Sequence, residues 1–115
     1  MRTWNEPPIR GMTQPAAWDQ NPPGFDPKTL GGPFPAQATE VMSETLFPAG
    51  WTVAYDLRSP SNRDVGAPLR PGATKATVID FFIHSPNVQV LYVTTQPLDF
   101  RFSDHNPVLL RFGLR

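Results

Sequence analysis

Proline constrains this chain more than any other residue. The 115 residues include 15 prolines. They crowd the first third, where Pro7, Pro8, Pro15, Pro22, Pro23, Pro27, Pro33 and Pro35 alternate with Gly24, Gly31 and Gly32. Each proline fixes φ and removes a backbone donor, so a dense series opposes helix and sheet ladder alike. Residues 1–35 are therefore expected to be irregular, extended and partly mobile. Regular structure must come from residues 36–115, within a chain long enough for one domain and a modest core.

In that second segment the pattern changes twice. Between Ala36 and Phe47, Ala38, Val41, Met42 and Leu46 fall near one helical face, and Pro48 and Gly50 follow. The spacing predicts one helix there, with Glu40 and Glu44 as solvated charges. From Trp51 to Asp56 the run is β-branched and aromatic, with Trp51, Val53 and Tyr55 on one side of a strand. Thr77 to Ser85 is the strongest strand pattern: Ile79, Phe81 and Ile83 face one way, Val78, Asp80, Phe82 and His84 the other. Val88 to Thr95 predicts a strand antiparallel to it, closed by Pro97. A last strand begins at Val108, with Val108, Leu110, Phe112 and Leu114 on one face. The expected class is α+β, with one mainly antiparallel sheet, one helix and an irregular proline-rich N-terminal third.

Charge and composition narrow the chemistry. Ten basic and ten acidic residues cancel, so no global field recruits nucleic acid. The absence of cysteine excludes a disulfide framework, a zinc–thiolate site and thiol redox chemistry. His84 and His105 are too few for an all-histidine metal site. An oxygen-ligated Mg²⁺ or Mn²⁺ is the metal chemistry left. No run approaches the ~20 apolar residues of a membrane span, and the N-terminus lacks the apolar core of a signal peptide. The expectation is a soluble chain, cytoplasmic by default.

Two polar features stand out against the apolar strands. Asp80 interrupts the 77–85 run, where an ionised carboxylate is costly to bury without a partner. Ser103-Asp104-His105-Asn106-Pro107-Val108 sets a histidine on a loop at the mouth of the last strand. His105 is the natural partner for Asp80: a carboxylate on one imidazole nitrogen fixes the tautomer and leaves the other free to take a proton from water. Ser59-Pro60-Ser61-Asn62-Arg63 breaks the preceding strand. Asn62 and Arg63 could meet an anionic substrate there, since arginine offers bidentate donation. Equally, the segment could be a plain turn.

The stretch Ser103–Val108 resembles the S-D-H-x-P-[VI] signature of the endonuclease/exonuclease/phosphatase superfamily of metal-dependent phosphoesterases. Val78-Ile79-Asp80-Phe81-Phe82 resembles that family's strand bearing the aspartate that orients the histidine. Ala16-Ala17-Trp18-Asp19-Gln20-Asn21-Pro22-Pro23 is similar to its G-D-W-N-Q-x-P-P box, with Ala17 where the family has aspartate and Asp19 where it has asparagine. Ser59–Arg63 resembles a P-T-N-R segment of one bacterial branch. The resemblance runs from about Ala16 to the C-terminus.

It implies half of a four-layer α/β/β/α sandwich, divided into a box-bearing segment at 1–35 and the C-terminal half of the domain at 36–115. It further implies His105, Asp80 and Asp104 as catalytic residues. Asp19, Asn62 and Arg63 would lie beside the substrate phosphate, with Mg²⁺ or Mn²⁺ held by Asp104 and Asp19. The partner would be a phosphoester, nucleic acid among the candidates. A half-sandwich leaves an apolar sheet face uncovered, which calls for a missing N-terminal half or a second copy. Two further readings stay open: a degenerate, non-catalytic relative serving as a structural or binding module, and a proline-rich interaction segment joined to a small β domain.

Overall fold

Where each backbone donor goes decides the architecture of this chain, and outside one hairpin they go to short pairings rather than long ladders. The computed structural model describes residues 20–30 and 34–115. Among the described residues there are eight strands: β1 (Gln20–Asn21), β2 (Glu40–Val41), β3 (Thr52–Ala54), β4 (Asn62–Arg63), β5 (Ala76–Thr77), β6 (Phe82–His84), β7 (Val88–Thr95) and β8 (Val108–Leu114). They pair two by two as β1–β2, β3–β6, β4–β5 and β7–β8. The first pair is parallel and the other three antiparallel. The fold is thus mostly strand, in small sheets rather than the single sheet expected.

The expected helix at 36–47 is absent. Its backbone is claimed by neighbours before an i→i−4 ladder can form: Gln37 N–H donates to Ala76 O at 2.9 Å and Met42 N–H to Asn21 O at 2.8 Å. Ala36 also bridges Ala76. Only a 3-10 turn, Glu44–Leu46, remains, capped by the Ser43 hydroxyl. Val41 and Leu46, placed on the buried face of the helix by periodicity, are exposed. Among the described residues no helix is long and apolar enough to cross a membrane.

The 77–85 run is likewise cut in two. Residues 78–81 leave the ladder because the Ser61 hydroxyl accepts from Ile79 N–H at 3.0 Å and from Asp80 N–H at 3.1 Å. The piece before the break, β5, pairs with β4; the piece after it, β6, pairs with β3. Strand β7 does not make the expected pairing with this run. Its partner is β8, from Val88↔Leu114 to Thr95↔Val108, with a bulge at Leu91 between Val90 and Tyr92. One extra residue reverses the alternation of side chains across the bulge. Leu91 and Tyr92 at the bulge are both exposed, as are Leu109, Phe112 and Leu114 on β8.

The apolar core is small. Phe34, Ala76 and Phe100 cluster within it, with Leu69 against them, and Phe25, Ala54 and Val78 are buried elsewhere. The Phe34 and Phe100 rings meet edge to face, 5.4 Å apart at 72°, a favoured aromatic geometry. Phe100 pays for that place with a left-handed backbone, φ 56°, directly after Asp99 at φ 53°. Left-handed φ is tolerable for aspartate but unusual for a bulky ring. At Gly50, φ 83°, no other residue fits, since a Cβ would meet Pro86 Cγ at 2.9 Å.

Candidate functional site

Three segments that are distant in sequence converge on His105. Residues 60–62 lie between the 77–80 stretch and the 103–106 loop, and they bond to both. Ser61 N–H donates to Thr77 O, Asn106 N–H donates to Ser61 O (each 2.9 Å), and Arg63 N–H donates to Asp104 O at 3.0 Å. Asn62 pairs with Thr77 through β4–β5 and bridges His105 on its other side. Ser61 and Thr77 are almost fully buried. A polar junction of this kind survives burial because each group has a partner.

On this base His105 Nδ1 lies 2.7 Å from Asp80 Oδ2. The pairing does not arise from burying a charge, as the strand pattern suggested, because both side chains are more than one-third exposed. It arises from Ser61, which pins the backbone of Asp80, and from the clip that holds the His105 loop. Asn62 Nδ2 stands 3.2 Å from His105 Nε2 and 3.2 Å from Asp104 O. Sequence reasoning left Nε2 free; the Asn62 amide covers it.

The remaining expected site residues are spread unevenly. Asp104 joins the cluster through its carbonyl, while its carboxylate accepts from the Ser103 hydroxyl at 3.3 Å. Arg63 Nη1 donates to Asp64 O at 3.1 Å, and its buried Nε has no partner among the described residues. Asp19, together with Ala17, lies outside the described residues. His84 ends β6 with Nδ1 3.1 Å from Ser85 O. An open cleft of about 600 Å³ runs beside the pair, lined by Asp80, Phe81, Phe82, His105, Pro107 and Val108 among others.

Two positioning residues were missed. Asn106, next to the histidine, is buried. Its Nδ2 donates to Pro60 O at 3.0 Å and its Oδ1 accepts from Phe100 N–H at 3.1 Å. Ser61 is the second. The signal available was a Ser or Asn beside a proline, which normally reads as a self-contained turn; here the side chains bond across the fold instead.

A divalent metal implied by the resemblance requires several oxygen ligands. Among the described residues no three His, Asp or Glu side chains come together. Asp80 is engaged with His105, so the described residues do not make up a metal site by themselves. No family model matches the chain, and neither a curated protein nor a solved structure does.

Proposed function

We propose that His105 and Asp80 are the proton-handling part of a phosphoester hydrolase site of the endonuclease/exonuclease/phosphatase type. The observation that carries the reading is the 2.7 Å bond between Asp80 Oδ2 and His105 Nδ1 at the wall of an open cleft. In this reading Asp80 holds the Nδ1 proton and Nε2 takes a proton from water. The water oxygen bonds to phosphorus, and the leaving oxygen departs with the electrons of the broken P–O bond. Asp104 and Asn62 hold the His105 loop beside the cleft; Arg63 and Asp19 belong to the same proposal as groups near the substrate phosphate. Divalent-cation dependence enters only if ligands come from outside the described residues. In the same reading the strands are half of an α/β/β/α sandwich, and exposed Ile83 and Phe112, which line one shallow groove, belong to the face that the other half covers.

The absence of a three-ligand acidic group among the described residues favours a second reading. In it the chain is a relative that keeps the His–Asp pair as architecture and serves as a structural or binding module. Turnover separates the two. The purified chain and His105→Ala are assayed on plasmid DNA, an abasic oligonucleotide, a bis-aryl phosphate and an inositol phosphate, with Mg²⁺ and with EDTA. The hydrolase reading expects turnover that His105→Ala lowers by ~10²–10⁴-fold. Folded protein that turns over none of the four, or turnover indifferent to His105, sinks it.

A further inference from the structure

The amide of Asn62 has only one orientation compatible with its neighbours. The Asp104 carbonyl can only accept, so the Asn62 atom 3.2 Å from it is the NH₂ nitrogen. That same nitrogen is 3.2 Å from His105 Nε2. An amide NH₂ donates and does not accept, so Nε2 is the acceptor and carries no proton. The imidazole proton therefore sits on Nδ1 and points to Asp80 Oδ2, 2.7 Å away. Both amide hydrogens are spent, and the one lone pair of His105 able to take a proton is occupied.

This cover is built into the fold. Asn62 is buried, and its backbone is fixed from two sides by the pairing with Thr77 and the bridge to His105. The histidine ring is 43 % exposed and lines the cleft, whereas Asn62 does not line it. What faces the cleft is thus the ring rather than its uncovered lone pair. Both contacts of the amide lie at the long end of the hydrogen-bond range, where they are weak. A water or hydroxyl held by a ligand in the cleft can replace one of them at little net cost.

We infer that Asn62 is a positioning residue that caps His105 Nε2 in the free protein and yields it when a bound ligand presents a competing donor. The base is then gated by its own substrate, and Asn62 sets the tautomer together with Asp80. The functional consequence rests on the hydrolase reading; the cap itself does not.

The cap is tested by carbethoxylation. The Nε2 lone pair attacks a carbonyl carbon of diethyl pyrocarbonate, the anhydride C–O bond breaks, ethyl carbonate leaves, and the Nδ1 proton passes to solvent. Rates at His105 and His84 are read from their peptides by mass spectrometry in the wild-type chain and in Asn62→Ala. The expected result is a several-fold faster reaction at His105 in Asn62→Ala with His84 unchanged. An unchanged rate at His105 overturns the cap. Should both histidines react faster, the variant has loosened, and the ¹⁵N imidazole spectrum of the wild-type chain decides. A ring protonated at Nδ1, with Nε2 shifted as a hydrogen-bond acceptor, sustains the inference; a ring protonated at Nε2 overturns it. Neither readout needs turnover, so a silent phosphoester panel defeats the hydrolase reading while leaving the cap intact.

Discussion

The β7–β8 hairpin and the junction around Ser61 are opposites in how they are held. The hairpin has the longest ladder among the described residues, yet Leu109, Phe112 and Leu114 on β8 remain half or more exposed. The junction has only two-residue strands, yet Ser61, Asn62, Thr77 and Asn106 are buried. Regular backbone pairing and burial are therefore separate achievements here. The hairpin satisfies its own peptide groups and leaves its side chains to water. In the junction, side chains satisfy the peptide groups of other segments, which lets irregular backbone go inside. The histidine belongs to the second kind of structure, and its geometry depends on hydroxyls and amides more than on strands.

Removing Asn106 should break that dependence most severely. Asn106→Ala leaves Phe100 N–H and Pro60 O without their partners in a buried place. It also frees the left-handed pair Asp99 and Phe100, whose strain is tolerated only while the surroundings enforce it. A loss of about 2–4 kcal/mol is expected from one buried unpaired donor, one unpaired acceptor and a relaxing turn. Urea unfolding followed by tryptophan fluorescence measures it. A midpoint within error of wild type would mean that the junction does not organise the fold.

A smaller effect, with a pH signature, is expected at Asp56. Its carboxylate is buried, which by itself raises the pKa. Hydrogen bonds from the Arg58 side chain, Thr95 N–H and Arg58 N–H, with the charge of Arg58, outweigh that and hold the group below the ordinary carboxylate value. A carboxyl depressed in the folded state stabilises fully above its unfolded pKa of roughly 3.9, and that share is lost as pH falls through the lower folded value. Asp56→Asn should thus cost ~1–2 kcal/mol near neutral pH, and the gap to wild type should close as pH falls below about 4. Equal gaps at pH 7 and pH 3 would show that the Thr95 contact, not ionisation, is what matters.

The contrast also explains what could be read from the sequence. Runs of apolar and β-branched residues point to β7 and β8, because successive side chains of a strand face opposite sides and such residues suit a pleated surface. Asp80 and His105 were found from a charge inside an apolar run and a histidine at a strand mouth, although the observed pairing owes little to burial. The 36–47 helix was misread because its apolar spacing is helical, while Asn21 and Ala76 compete for its peptide groups from far away in the chain. The break at 78–81 had no local signal at all: it is caused by one hydroxyl, that of Ser61, about eighteen residues earlier. Periodicity reports which face is apolar; it does not report side-chain bonds to distant backbone.

The smallest effect is expected where the side chain is largest. Phe112 is 54 % exposed on β8 and sits opposite Val90. Phe112→Thr keeps a residue suited to strands and gives up one aromatic–aliphatic cross-strand contact, worth roughly 0.2–1 kcal/mol. If the hairpin face is open in solution, the urea midpoint should move by less than a quarter of the Asn106→Ala shift and should not depend on protein concentration. A loss above about 2 kcal/mol would match a core truncation rather than a surface one. Such a loss, coupled to a midpoint that rises with concentration, would place a second copy of the chain on this face, since only association makes stability depend on concentration. The hairpin would then be half of an interface, and the contrast with the junction would hold only for the isolated chain.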